Sequence, residues 1–247
     1  MSNINDTYFD GHYKNIWRSI IPAELTVKEV DFMLSYFNLN KESNILDLMC
    51  GYGRHAIALA KKGIAVTAVD NLDDYIAEIT KAAEKESLPV KTIKADVIQY
   101  KANDKFDLAL CMGNSLNFFN AKDTQQILAN ICSHLKPGGH LLINTWSLTE
   151  IAAKNFIAKS WSEIGDLKFI SDSKYLFHPT RIESDSLILS PDGSTEKKKA
   201  VDYLFSVSEM EMMLNKAGFA MKEIYSIPGR KQFTVGEPRA YIVAEKV

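Results

Sequence analysis

The run Ile45–Gly63, ILDLMCGYGRHAIALAKKG, constrains the chain more than any other segment. Asn44 to Cys50 is a short apolar run, as expected for a strand buried on both faces of a parallel sheet. Gly51 and Gly53 follow where the chain must turn tightly. Gly53 to Lys62 then reads as a helix stopped by Gly63. A strand that passes through glycines into a helix leaves the first helical N–H groups unpaired, facing whatever binds at the strand end. Asp47 stands just before those glycines.

The same alternation continues downstream. Ile64 to Val69 reads as a strand closed by Asp70, Leu72 to Glu86 as a helix, and Val90 to Ala95 as a strand ending at Asp96. Phe106 to Cys111 is a further strand, and Thr124 to Leu135 a helix that Pro137 stops. Leu141 to Asn144 opens a fifth strand after the Pro137-Gly138-Gly139 turn. Strand and helix in strict alternation predict an α/β fold, a doubly wound and mainly parallel sheet.

The flanks differ from this middle. Tyr8, Phe9, His12, Tyr13 and Trp17 crowd an aromatic opening, and Thr26 with Glu29 has the pattern of a capping box ahead of Val27, Val30, Leu34 and Phe37. Residues 165–205 hold short alternating runs and a Pro191-Asp192-Gly193 turn, predicting a small accessory antiparallel insertion. Lys197, Lys198 and Lys199 read as a solvated turn of that insertion. Ser206 and Glu209 form a second capping box, Gly218 ends its helix, and Phe219 to Ile227 and Ala240 to Lys246 close the chain as strands.

Composition limits the partners. Lysine and arginine number 29 against 31 acids, a near balance that gives no global attraction to nucleic acid or to an anionic membrane. Cys50, Cys111 and Cys132 make no disulfide framework and no structural zinc spacing, and two of them end apolar runs as buried thiols do. The opening MSNINDTYFDGHYK resembles neither a signal peptide nor a membrane span, so the expected location is the cytoplasm.

Gly51-Tyr52-Gly53-Arg54-His55-Ala56 also fits the dinucleotide pattern GxGxxA, with Asp70 near the place of a ribose-binding acid. Asp47 argues against a nicotinamide cofactor, because it would bring negative charge close to a pyrophosphate; the same charge suits an ammonium. Asp96 ends the third strand where its carboxylate can accept a bond from an adenine amino group.

With these residues in place, the sequence resembles the class I S-adenosylmethionine-dependent methyltransferases, and within them the small-molecule branch. Asp47-Leu48-Met49-Cys50-Gly51-Tyr52-Gly53 is similar to the family's first motif, Asp70 to its ribose-binding acid, and Asp96-Val97 to its adenine pair. Phe106 to Phe119 resembles the fourth motif, and Leu135 to Gly139 the turn before the fifth strand. Met49 and Tyr52 depart from the smaller residues common at those positions. The resemblance implies a seven-stranded sheet with an antiparallel C-terminal strand. It also implies S-adenosylmethionine as cofactor, with S-adenosylhomocysteine as product, held by Asp47, Cys50, Gly51, Gly53, Asp70, Asn71, Leu72, Asp96, Val97 and Cys111.

The expected organisation is one methyltransferase domain over 1–247, with 1–37 as a helical lid or support and 165–205 as the cap. The aromatic opening either covers the donor and helps form an acceptor pocket, or only stitches a helix to the core. The pocket reading joins Tyr8, Phe9, His12, Tyr13 and Trp17 to Asn114, Ser115, Phe118 and Phe119 after the fourth strand, and to Tyr175, Phe177 and His178 of the cap. Arg54 and His55 read as helix packing. The expected reaction is direct in-line displacement onto a small-molecule amine or hydroxyl, with no metal and no assignable catalytic base. Three alternatives stand beside it: a nucleic-acid methyltransferase, a noncatalytic binding protein, and a nicotinamide oxidoreductase.

Overall fold

A computed structural model describes residues 3–247. The chain opens with a 3-10 turn at Ile4–Thr7 and helices α1 (Gly11–Ile20) and α2 (Ala23–Tyr36). Then β1 (Asn44–Leu48), α3 (Arg54–Ala60), β2 (Ala65–Asp70), α4 (Asp73–Glu86), β3 (Val90–Lys94) and β4 (Phe106–Cys111) alternate as the sequence predicts. A second 3-10 turn (Ser115–Phe118), α5 (Ala121–His134) and β5 (Leu135–Thr145) complete that half. The remainder is α6 (Thr149–Asn155), β6 (Lys159–Ile164), β7 (Leu167–Phe177), β8 (Thr180–Leu189), β9 (Thr195–Tyr203), α7 (Val207–Ala217), β10 (Phe219–Ile227), β11 (Lys231–Gln232) and β12 (Ala240–Lys246).

The main sheet runs β11-β10-β12-β5-β4-β1-β2-β3. Parallel pairing joins β3, β2, β1, β4 and β5, while β12 lies antiparallel to β5 and to β10. Seven strands are those expected; the eighth, β11, is a two-residue edge in the polar loop after Pro228. Strand order reverses between β1 and β4, and that switch point opens a crevice at the carboxyl ends of the strands. Both faces of the sheet are covered. Val30, Met33, Ala56, Leu59 and Ile79 pack on one side. Ile127, Leu128, Ile131, Met210 and Leu214 pack on the other. The strands between them are therefore buried nearly throughout, which is why they read as continuous apolar runs.

The second sheet, β6-β7-β8-β9, is wholly antiparallel and spans Lys159 to Tyr203, where the alternating pattern implied 165–205. Its β9 overturns the solvated-turn reading of the lysines. Alternation along the strand turns Lys198 inward, where it is 7% exposed, while Lys199 stays out. Lys198 Nζ donates to the Thr7 carbonyl at 2.8 Å, and it pairs with Glu196 at 2.6 Å and with Asp10. Asn5 completes the junction: its Nδ2 reaches the Val201 carbonyl at 3.0 Å and its Oδ1 accepts from Val201 N at 2.8 Å. The N-terminal segment is thus bonded to the edge of the accessory sheet like an extra strand end.

The first capping box is also overturned. Ile21 is extended, as a residue before proline must be, and α2 starts at Ala23 with Pro22 at its N-cap. Thr26 and Glu29 lie inside the helix and serve α3 instead. Glu29, 1% exposed, accepts from Arg54 Nη1 at 2.5 Å, from Tyr241 Oη at 2.7 Å, and meets His55 Nε2 at 2.9 Å. Thr26 Oγ1 accepts a second bond from Arg54 at 2.9 Å. The Ser206–Glu209 box and the Gly218 terminus of α7 stand as expected. The Pro137-Gly138-Gly139 segment is a bulge within β5 and not a turn before it.

Burial opposes the charge of Glu29, yet the bonds from His55 and Arg54 prevail and hold it down at about 2. An acid depressed in this way contributes stability that is full above the unfolded value near 4.5 and is lost as pH falls toward 2. Replacing Glu29 by alanine leaves the Arg54 guanidinium buried without its counter-ion, which costs about 3 kcal/mol. The expected result is a correspondingly lower urea midpoint at pH 7, with the difference from the parent shrinking below pH 4. Equal midpoints at pH 7 would contradict it.

Candidate functional site

The crevice at the β1/β4 switch point is a cavity of about 290 Å³. Three strand ends build its floor. Met49 and Gly51 both take positive φ, +54° and +56°, so the chain leaving β1 folds sharply back before α3. A Cβ placed on Gly51 would meet nothing within 4 Å; it would project into open cavity, so the glycine leaves room for a ligand against the backbone. Gly53 serves a different neighbour. A Cβ there would lie 2.6 Å from Ile79, so this glycine lets α3 pack on α4 and does not itself line the cavity.

Asp70, at the end of β2, fastens this turn. Its Oδ2 accepts from Gly51 N at 2.8 Å and its Oδ1 from Leu72 N at 3.1 Å. Burial pushes its acid up to about 6 despite those bonds. Asp47 is 1% exposed, and its Oδ2 has no partner among the described residues. Burial pushes it up to about 7; the Arg54 charge pulls it down and Asp70 pushes it up further. Asp96 is exposed and turns one oxygen to Ile98 N at 2.9 Å. Asp6, Asp47, Asp70 and Asp96 all line the cavity, while its one guanidinium, Arg54, is already paired with Glu29. The lining is therefore an acceptor-rich, negatively biased surface, suited to a cation with hydrogen-bond donors.

The N-terminal segment forms the opposite wall. Asn71 Nδ2 donates to Asp6 at 2.9 Å, Tyr75 Oη donates to the Phe9 carbonyl at 3.0 Å, and Arg18 pairs with Glu78 at 2.5 Å. Arg18 also lies over the Tyr52 ring at 4.6 Å. Phe9 meets Phe118 edge-on at 4.9 Å. Asn3 and Asn5 both donate to the Phe118 carbonyl, at 2.9 and 3.0 Å. These contacts hold the opening segment across the ends of β2 and β4.

Of the residues expected at a cofactor, Asp47, Cys50, Gly51, Asp70, Asn71, Leu72, Asp96 and Val97 line the cavity. Gly53 does not, for the reason above. Cys111 does not either: it is fully buried at the end of β4 among Leu48, Leu116 and Ile143, on the face turned toward α5. Of the expected acceptor residues, Phe9, Trp17, Ser115, Phe118 and Phe119 line the cavity, and Ser115 Oγ is buried without a partner among the described residues. Tyr8 and Tyr13 stack on each other at 4.3 Å behind that wall. Asn114 turns its side chain away, to Ser147 and Asp202. His12 is exposed and bonded to the β8–β9 turn through Glu196 and Ser190. Tyr175 packs on Phe156, while Phe177 (71% exposed) and His178 sit at the outer tip of the β7–β8 hairpin, away from the cavity.

Several lining residues escaped the sequence reading. Tyr75 lies one helical turn past Leu72 and was legible as such; Met112 and Gly113 simply continue β4. Asn3, Asn5 and Asp6 carried no pattern, since their place depends on the pairing of the N-terminal segment with β9.

Residues 45–139 match the family model described as a methyltransferase domain. That stretch contains the β1 turn, Asp70, Asp96 and the β4 end. A ubiquinone biosynthesis O-methyltransferase of Rickettsia canadensis is 28% identical over 116 residues, 47% of this chain and 48% of that protein. The chain thus spans about half the length of the curated relatives it matches. A solved S-adenosylmethionine-dependent methyltransferase from Clostridium acetobutylicum superposes with TM-score 0.80 at 17% identity, covering 95% of this chain and 96% of that one. An amino pentose methyltransferase from Micromonospora echinaspora does so at TM-score 0.74 and 17% identity, covering 96% and 98%. The fold of these two is shared almost end to end, and the family match falls on the strands and turns that build the cavity: residues 45–139 are a methyltransferase domain by that match, set in a fold shared with solved S-adenosylmethionine-dependent methyltransferases.

Proposed function

We propose that this chain transfers the methyl group of S-adenosylmethionine to a small-molecule nucleophile, an amine or a hydroxyl, enclosed beneath the N-terminal segment and the accessory sheet. The observation that carries the donor side is the buried, unpartnered Oδ2 of Asp47 beside the open cradle at Gly51. A buried acceptor without a donor is costly and needs a ligand to satisfy it. An amino-acid ammonium does so, and Asp70 and Asp96 supply acceptors for ribose hydroxyls and an adenine amine on the same wall. The residues present therefore fit the donor.

When bound, the donor supplies an electrophilic methyl on a sulfonium, and the chain's part is to align, enclose and exclude water. Asp70 does this twice, since the oxygens offered to the ribose also fix the Gly51 turn. Gly113, Ser115 and Phe118 at the end of β4 bound the place where an acceptor must arrive. Phe9, Trp17 and Phe119 keep that place apolar. Oxygen and nitrogen acceptors are both represented among similar proteins, one named an O-methyltransferase and another a sugar N-methyltransferase. A closed wall leaves little room for a polymer, which favours a small molecule over nucleic acid.

Three measurements test this reading. Replacing Asp70 by alanine removes a charged acceptor and loosens the turn, so affinity for S-adenosylhomocysteine by calorimetry falls by about 1–3 kcal/mol. An affinity within twofold of the parent in a folded variant rejects the assignment. The second is pH. Asp47 stands at about 7 and Asp70 at about 6 without ligand, and donor groups on the ligand favour both carboxylates ionised. Affinity is therefore full above pH 7 and weakens by up to roughly tenfold per unit as pH falls below it. Affinity constant from pH 8 to pH 5 would show that neither acid meets the ligand. The third is removal of residues 1–18, which takes away Phe9, Trp17 and the Asp6–Asn71 bond. A screen of small amines and alcohols, read as S-adenosylhomocysteine formed with mass detection of product, should find turnover in the full chain and none in the truncated one, which still binds some cofactor. Undiminished turnover after truncation sinks the lid; turnover only on RNA, duplex DNA or folded protein sinks the acceptor class.

A further inference from the structure

Trp17 lines the donor-side cavity, and its ring meets that of Trp146 at 5.5 Å. Beside Trp146, the ends of β4, β5 and β9 converge on one acid, Asp202. Its Oδ1 accepts from Asn114 Nδ2 at 2.9 Å and from Ser147 Oγ at 3.4 Å. Asn114 is locked in that orientation. Its own Oδ1 accepts from Thr145 Oγ1 at 2.9 Å and from Trp146 N and Ser147 N at 3.0 Å each, so only the Nδ2 edge can face the carboxylate. Asn114 is also the residue between Gly113 and Ser115, both of which line the cavity.

The second oxygen of Asp202 takes no hydrogen bond from the described residues, and the residue as a whole is half-buried. No lysine or arginine among the described residues pairs with it, although the inward-facing Lys198 of the same strand is matched by Glu196 and Asp10. Its charge reaches the phenols of Tyr8 and Tyr13: burial first pushes both above their ordinary range, Tyr8 raises Tyr13 next, and this acid adds to both in the same direction. The Tyr13 ring meets Tyr8 at 4.3 Å and Phe169 of β7 at 5.8 Å. One uncompensated carboxylate therefore acts on the phenols of Tyr8 and Tyr13, from the opening segment and α1. Aromatic faces attract cations, and a half-buried anion gains from one what a neutral hydroxyl cannot give.

We infer that Asp202 anchors the acceptor, and that the acceptor is an amine which enters as its ammonium ion and pairs with Asp202 Oδ2 beside Tyr13, Trp17 and Trp146. This rests on the methyl-transfer reading and narrows its acceptor from amine or hydroxyl to amine. An ammonium nitrogen has no lone pair. Passage of one N–H proton to Oδ2 leaves a free amine with its lone pair and a neutral carboxylic acid, so charge is conserved and no other reactant is needed. Burial, against the bonds from Ser147 and Asn114, already raises Asp202 to about 6, which makes it a better proton acceptor than an ordinary carboxylate.

The test separates charge from shape. Trp161 is 66% exposed on β6, so replacing it by phenylalanine leaves Trp17 and Trp146 as the fluorescence reporters. This protein, saturated with S-adenosylhomocysteine, is titrated with choline and with 3,3-dimethylbutan-1-ol, a neutral isostere of the same shape. Choline is expected to bind about tenfold or more tightly than the isostere, and Asp202→Asn to remove that preference while S-adenosylhomocysteine affinity stays within twofold. In the product screen, methylated amines appear and methylated alcohols do not. Equal binding of the two probes to the unaltered site overturns the inference without recourse to any variant, as does a choline preference that survives in a folded Asp202→Asn protein. If S-adenosylhomocysteine itself fails to bind, the donor reading falls and this one with it; if it binds and only alcohols are methylated, the donor reading stands and this one falls.

Discussion

The hydrogen bond from Gly51 N to Asp70 is the contact on which the site depends. It ties the turn after β1 to the end of β2, the two strands that flank the crevice on one side of the switch point. With the turn fastened, Met49 and Gly51 hold their left-handed conformations, Gly53 closes on Ile79, and α3 begins at the cavity wall with Arg54 and His55. The clamp also leaves Asp70 charged against burial, so the same residue that shapes the site gives it its sign. Behind it, Glu29 gathers Arg54, His55 and Tyr241, fixing α2, α3 and β12 to one buried anion. Arg54 is thereby taken up structurally, and the nearest cation to Asp47 is not free to neutralise it.

The second constraint is the junction between the chain's opening and β9. Asn5 and Lys198 carry it with bonds to backbone and carboxylate, not with apolar burial. A polar seam of this kind holds a segment in register and yet releases it more readily than a packed helix would, because each bond has water as its alternative partner. The wall that the segment makes is thus attached to the accessory sheet through Asn5 and Lys198 and to the main domain through Phe9 on Phe118 and Trp17 on Trp146. In the proposed reading, entry of an acceptor and closure over it both involve this seam.

What could be read from the sequence follows from how local the cause is. The β1–α3 segment, Asp70 and Asp96 were legible because a buried parallel strand, a glycine turn and a strand-ending acid each leave a mark within a few residues. Phe219–Ile227 and Ala240–Lys246 were legible to the residue for the same reason. Thr26 and Glu29 misled because a capping box is only a spacing, and Pro22 had already started the helix one turn earlier. Lys198 misled because a charge run looks solvated until strand alternation selects one member to turn inward. Tyr175, Phe177 and His178 were placed by composition alone; which side of a hairpin faces a site is set by the sheet's docking. Asp202 carried no mark at all. Its partners Asn114 and Ser147 are separated from it by 88 and 55 residues, so only the assembled fold could reveal it.

Three carboxylates, Asp47, Asp70 and Asp202, are raised by burial to between about 6 and about 7. Their common direction has a consequence for the empty protein. An acid whose value is raised on folding binds its proton more tightly in the native state, so ionising all three between pH 5 and pH 8 works against the fold. Near neutrality the site is therefore an unfinished electrostatic arrangement, stable enough because the rest of the core holds it but improved by any ligand that brings positive charge. In the proposed reading, a donor with an ammonium and a sulfonium would meet this need at Asp47 and Asp70. A cationic acceptor would meet it at Asp202. After methyl transfer the sulfonium charge is gone while the ammonium remains, so the product pair is held less strongly than the substrate pair by the same acids. The electrostatics that favour loading also favour release of what the reaction leaves behind.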